Sequence, residues 1–386
     1  MDKNDDKTSS KQRFLSPSYK KGVVKENKEK ENFKIDLKGE EDDYSPEKNL
    51  GNKGKRLTLA GEGSEQGGFI NLKPLSNNEE DEENNEFCTN ALPGGHVRKI
   101  ASYSQPGKGE DGFTKVNQDS YLIIQNEYGL KDFNIFAVLD GHGMNGHLVS
   151  RFVTKYFTAF FKKNKKMTAL KNEDEIYERL KKNNGNILQK AFKHAERDIK
   201  KSEVDANFSG TTCVMVLQTG DKLFCSNIGD SRAILVKEDG IFELSIDQKP
   251  NDPEEMKRIE AAGGEVSQFE EDGEKSGPYR VWKKGEMYPG IAMSRSVGDL
   301  IATSLGVIPE PVFRETTIDK KSKFMVLASD GIWEFLSNQK VADLIMPFYN
   351  KNDAEGACKT IVKEATKWWN QEDIVVDDIT AIVVFF

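Results

Sequence analysis

The sequence predicts an α+β protein in which sheets pack on one another and helices cover them from outside. Short apolar runs of strand length come in clusters, with four between residues 210 and 246, and do not alternate one-for-one with helices as a doubly wound parallel sheet requires. Stretches with apolar residues at helical spacing fall between those clusters. Almost all of this patterned sequence lies beyond Val97, after a charged leader that lacks it.

In residues 1–86 roughly a fifth of the side chains are apolar and about two-fifths are charged. Such a segment cannot bury enough apolar surface to offset the entropy of ordering it. Residues 1–90 are therefore expected to be a disordered extension, and 91–386 the folded unit. The extension ends in the acidic run Glu79-Glu80-Asp81-Glu82-Glu83, which reads as a solvated, self-repelling linker. Ser16-Pro17 and Ser45-Pro46 fit either turns or phosphorylation sites.

The strand-length runs are Tyr121–Ile124, Ile135–Leu139, Cys213–Leu217, Leu223–Cys225, Ala233–Val236, Phe324–Ala328 and Ile379–Phe386, rich in Val, Ile and Phe. Leu148, Val149, Phe152, Val153, Tyr156, Phe157, Phe160 and Phe161 form one wide helical face. Ile187, Leu188, Ala191, Phe192, Ala195 and Ile199 form a second. A third helix is signalled by Asp252 as cap, Pro253 at the first turn and Glu255 three residues after the cap, and Gly263-Gly264 stops it. Residues 265–290 are rich in Gly, Glu and Lys without a period and read as a long loop. Trp368-Trp369 read as core packing.

Composition excludes several function classes. The net charge is −8, half of it in residues 1–86, so neither part has the basic balance of a nucleic-acid binder. The four cysteines form no CxxC pair and no disulfide framework, which fits a reducing, intracellular setting, cytoplasmic or nuclear or both. No apolar run is long enough to span a bilayer, and no membrane association is expected. Nothing suggests an obligate partner, so a monomer is expected.

The acids fall at the ends of the strand runs. Ile135–Leu139 runs into Asp140-Gly141-His142-Gly143, Phe324–Ala328 into Ser329-Asp330-Gly331, and Leu223–Ile228 into Gly229-Asp230. At the other polarity, Asp119 precedes Tyr121–Ile124 and Asp377-Asp378 precede the last strand. A carboxylate at the tip of a buried strand is held rigidly without full burial. Several at one sheet edge would repel one another unless a cation neutralised them. Oxygen donors without thiolates suit Mg²⁺ or Mn²⁺ better than Zn²⁺. Singly, each Asp-Gly is an ordinary turn; together they define a carboxylate cluster but no substrate.

These segments match a family in order. Asp140-Gly141-His142-Gly143, Gly210-Thr211-Thr212, Gly229-Asp230-Ser231-Arg232, Met293–Asp299, Ser329-Asp330-Gly331-Ile332-Trp333 and Asp377-Asp378-Ile379-Thr380 resemble the motifs of the metal-dependent, type 2C serine/threonine protein phosphatases. Val116-Asn117-Gln118-Asp119 resembles the first acidic motif, and Asp247-Gln248-Lys249-Pro250 the central segment. The resemblance implies a four-layer αββα sandwich of two antiparallel β-sheets with helices on both outer faces. It also implies phosphoprotein substrates and a site for two Mg²⁺ or Mn²⁺ ions, with a weaker third. By motif, Asp140 resembles the bridging ligand, Gly141 offers its carbonyl, Asp330 and Asp377 complete the second ion, Asp119 acts through water, and Asp230 belongs to the third. His142 resembles the general acid.

Three departures stand out. Gln118 occupies a position that is Glu in many members. Thr114 takes the register of a phosphate-gripping Arg, which leaves neighbouring Lys115 as the candidate phosphate cation or an ordinary solvated lysine. Glu334 replaces an Asp near the third ion. Residues 265–290 take the place of the family's variable flap. Arg295 and Asp299 either support the site or form a structural ion pair. A catalytically dead binding module, or a phosphatase for smaller esters, are the competing readings.

Overall fold

The computed structural model describes residues 85–91, 94–182 and 185–386. The acidic run and both Ser-Pro pairs lie outside these. Two antiparallel sheets form the centre. In one, the strands follow the order Asn85–Asn90, Lys99–Gln105, Ile379–Phe385, Ser322–Ala328, Arg232–Lys237, Gly240–Glu243. In the other the order is Val312–Thr317, Lys222–Ile228, Cys213–Thr219, Phe133–Leu139, Ser120–Ile124.

The two-residue period of the strands builds the layers. Phe136, Val138, Val214, Val216, Met325, Leu327, Ile382 and Val384 point between the sheets and fill one core. Ile135, Ala137, Leu139, Met215 and Leu217 point the other way, onto the helices Gly146–Lys163, Glu173–Lys181 and Asn186–Ile199. Phe324, Val326, Ala328, Val383 and Phe385 meet the helices Asn338–Tyr349 and Ala354–Glu372 on the opposite face. The chain is therefore an αββα sandwich. Because strand Phe133–Leu139 is covered on both sides, all its residues are buried, and from Ile135 to Leu139 it reads as an unbroken apolar run.

Two sequence expectations are corrected. Residues 265–290 are not a structureless loop: Gly264–Glu271 and Glu274–Lys283 pair as a hairpin, with Pro289–Ile291 as a third strand. The hairpin turns at Asp272-Gly273, both at positive φ, and Asp-Gly is the dipeptide that such two-residue turns favour. Its strands escape pattern recognition because they stand mostly in solvent, with few buried side chains, of which Val266, Val281 and Ile291 pack against helix Pro253–Ala261 and its surroundings. The folded unit also begins earlier than residue 91. Asn85–Asn90 is an edge strand on Lys99–Gln105, and Phe87 packs toward the inter-sheet core.

Candidate active site

Register places every predicted acid on one edge of the sandwich. Ser120 pairs with Leu139, so Asp119 and Asp140 leave adjacent strand ends. Ala328 pairs with Ala381 and with Arg232, which brings Asp330, Asp377 and the Asp230 turn to the same end of the other sheet. Ser329 ties the two sheets together: its hydroxyl donates to Asp119 Oδ2 at 2.8 Å and accepts the Thr380 amide at 3.1 Å.

The carboxylates are crowded. Burial, then the charge of Asp330, then that of Asp119, hold Asp140 well above the usual carboxylate range. Burial, followed by repulsion from Asp230 and Asp377, pushes Asp330 up to about 7. Burial and then Asp378 raise Asp119. Oδ1 of Asp119, Asp230 and Asp330 are buried without a hydrogen-bond partner. Orphaned anionic oxygens of this kind call for a cation. Among the described residues no three His, Cys, Asp or Glu side chains close around a single point. The donor set is an open row of oxygens, suited to a hard cation that keeps several waters and takes one or two carboxylates.

Gly141 sits where no side chain fits, since a Cβ would lie 2.4 Å from the Gln118 carbonyl and 2.5 Å from that of Gly146. Gln118 donates through Nε2 to the Gly143 carbonyl at 2.6 Å. A glutamate could not make that bond, so the departure from the family motif has a structural use here. Lys115 Nζ donates to Asp377 Oδ1 at 3.0 Å, so the lysine is paired with a site carboxylate. Lys249 pairs with Asp230 Oδ2 at 2.5 Å. Glu334 is exposed.

His142 is anchored by Asp299, with Nε2 and Oδ2 2.7 Å apart. Burial pulls the imidazole pKa down, but the charge and hydrogen bond of Asp299, with Asp230 and Asp330 adding, hold it above its ordinary value. Asp299 also accepts the Ser296 hydroxyl at 2.6 Å and adopts a left-handed backbone, φ 45°, its amide donating to the Ser209 carbonyl at 2.8 Å. Arg295 pairs instead with Glu255, Nη2 to Oε1 at 2.5 Å. The two readings of that motif thus divide between its two charged residues. Glu255, foreseen as part of a helix cap, accepts from Arg258, Arg295 and Ser294.

Residues to which the sequence assigned no part in the site complete it. Asp378 accepts the Gly107 amide at 2.6 Å and the Gln118 amide at 2.9 Å, which fixes the loop before Asp119. Asn117 accepts the Asp119 amide at 3.0 Å. Trp333 Nε1 donates to the Ala328 carbonyl and Trp369 Nε1 to that of Gly331, bracing the turn that carries Asp330. Trp368, by contrast, is exposed. An Asp-Asp pair and a Trp following the acidic turn are visible in the sequence, but nothing local says which groups they meet.

The protein phosphatase 2C family model matches residues 106–374. Probable protein phosphatase 2C 35 of Arabidopsis thaliana is 34% identical over 300 residues, 73% of this chain and 82% of that protein. Probable protein phosphatase 2C 72 of the same plant is 33% identical over 283 residues, 70% of this chain and 82% of that one. The fold is also that of a serine-threonine phosphatase 2C from Toxoplasma gondii, at TM-score 0.61 and 19% identity, covering 78% of this chain and 99% of that one. The chain belongs to the protein phosphatase 2C family, and its enzyme class is protein serine/threonine phosphatase.

Proposed function

We propose that this chain hydrolyses phosphoserine and phosphothreonine residues of proteins at the carboxylate edge, by direct attack of water and without a phospho-enzyme. The observation that carries this is the gathering of Asp119, Asp140, Asp230, Asp330 and Asp377 from both sheets beside an Asp-anchored histidine, with three buried Oδ1 atoms left unpartnered. Asp140, Asp330 and Asp377 with the Gly141 carbonyl would hold two Mg²⁺ or Mn²⁺ ions, Asp119 would contribute through water, and Asp230 would serve a weaker third ion. When bound, such ions supply Lewis acidity and a charge clamp for the phosphoryl group.

The chain's own residues do the rest. Protonated His142 gives one N–H to Asp299 through Nε2 and keeps the other at Nδ1, which has no partner among the described residues. His142 is then the group that would deliver a proton to the departing seryl or threonyl oxygen. Asp299 holds the ring in place and favours the imidazolium. Lys115, positioned by Asp377, offers a positive point charge to the phosphate oxygens at the rim of the edge.

The test is hydrolysis of a phosphothreonine peptide by the full chain with Mn²⁺, with Mg²⁺ and with EDTA, beside Asp330→Ala. Turnover lost in EDTA and in the variant is the expected result. A folded chain inactive with both metals would be a binding module.

A further inference from the structure

Ten large hydrophobic side chains are exposed among the described residues, and five of them stand in the loops that carry the site. Met144, 81% exposed, follows the His142 turn, and Phe208 lies just before Gly210, whose α-carbon lies against His142 and Asp299. Phe208 also meets Tyr288 of the flap edge-to-face, ring centres 6.2 Å apart. Across the edge, Phe113 at 75% and Val116 flank Lys115, and Ile374 precedes the bridge between Val376 and Lys108. Side chains of this kind are normally scattered on a soluble protein, and a concentration around one site marks a binding surface.

From this we infer that the rim selects phosphopeptides carrying bulky apolar residues on both sides of the phosphoresidue. The inference rests on the phosphatase reading above. A phosphothreonine that delivers its phosphate to the carboxylates lays its neighbours across these side chains, because an extended chain advances about 3.3 Å per residue. His142 is flanked by one apolar wall, Met144 and Phe208, and Lys115 by the other, Phe113, Val116 and Ile374. Glu110 and Asp111, both exposed in the loop before Phe113, disfavour acidic flanks.

Two phosphothreonine peptides of equal length and net charge, one with Leu and Phe flanks and one with Ser and Asn, test this on the full chain. The apolar peptide is expected to have roughly fivefold or greater kcat/KM, the effect of partly covering one or two such side chains. Phe208→Ser combined with Met144→Ser should lower the ratio by removing one wall, and Phe113→Ser should lower it from the opposite wall. Because each ratio compares two peptides on one protein, any general loss of activity cancels. Equal kcat/KM for both peptides on the natural chain overturns the inference while leaving the phosphatase reading in place, and so does a ratio that survives both variants. No turnover of either peptide or of p-nitrophenyl phosphate with Mn²⁺ or Mg²⁺ overturns the phosphatase reading and this inference with it.

Discussion

At the scale of single residues the site is under electrostatic tension. Asp330, pushed up to about 7, gains protons on folding, so its contribution lowers stability as pH rises from the unfolded carboxylate value near 4 toward 7. Removing that charge relieves the repulsion. Asp330→Asn is therefore expected to raise the metal-free melting temperature by about 2–4 °C or more, as ~1 kcal/mol does in a domain of this size, while abolishing metal-dependent turnover. A lower melting temperature for Asp330→Asn than for the natural chain, both in EDTA, would contradict this account. His142 tests the acid. Its pKa is held above the ordinary imidazole value by Asp299, so activity should fall on the alkaline side as the proton leaves. His142→Gln should lower kcat by about 10²–10⁴-fold, and Asp299→Asn should move the alkaline limb to lower pH.

At the scale of elements the packing around the acid is close. A Cβ on Gly210 would stand 2.0 Å from Asp299 Oδ2 and 2.8 Å from His142 Nε2. Gly210→Ala should thus separate the pair and lower kcat by at least about tenfold, toward the loss of the general acid itself, with KM for a small aryl phosphate changed less. The helix Pro253–Ala261 is joined to the Met293–Asp299 segment by Glu255, which its arginine and serine partners hold at about 2 despite the opposing effect of burial. A carboxylate depressed in this way contributes stability above about pH 4.5, and that contribution is lost as pH falls through about 2. The linkage amounts to roughly 3 kcal/mol. In Glu255→Gln, acid denaturation should be flatter between those values and stability at pH 7 lower by a similar order, measured by urea unfolding.

At the scale of the whole molecule, the boundary of the folded unit can be weighed directly. Strand Asn85–Asn90 adds a sixth strand to one sheet, brings Phe87 to the inter-sheet core and sets Glu86 2.8 Å from Lys359. A chain of residues 91–386 exposes the edge of Lys99–Gln105 and should melt several degrees below one of residues 85–386, since loss of about 1–2 kcal/mol shifts a domain of this size by that much. Equal melting temperatures would return the boundary to residue 91. Among the described residues no helix is long and apolar enough to cross a membrane.

What the sequence determined by itself was whatever is written in local pattern. Strands buried on both faces read as apolar runs because nothing along them needs solvent, and the helix from Gly146 declares itself by an aromatic face of period 3.6. The acids at the strand tips were visible for the same reason, as charges that end apolar runs. Structure alone decided who meets whom. Antiparallel register put Asp119 beside Asp140 and Asp330 beside Asp377, and residues 157 positions apart became the His142–Asp299 pair. It also separated Arg295 from Asp299, gave Lys115 to Asp377, and folded the solvent-exposed residues 264–283 into a hairpin. Pairings of this kind depend on the path of the chain through three dimensions, and a charged side chain carries the same letter whether its partner is water, a lysine or another carboxylate.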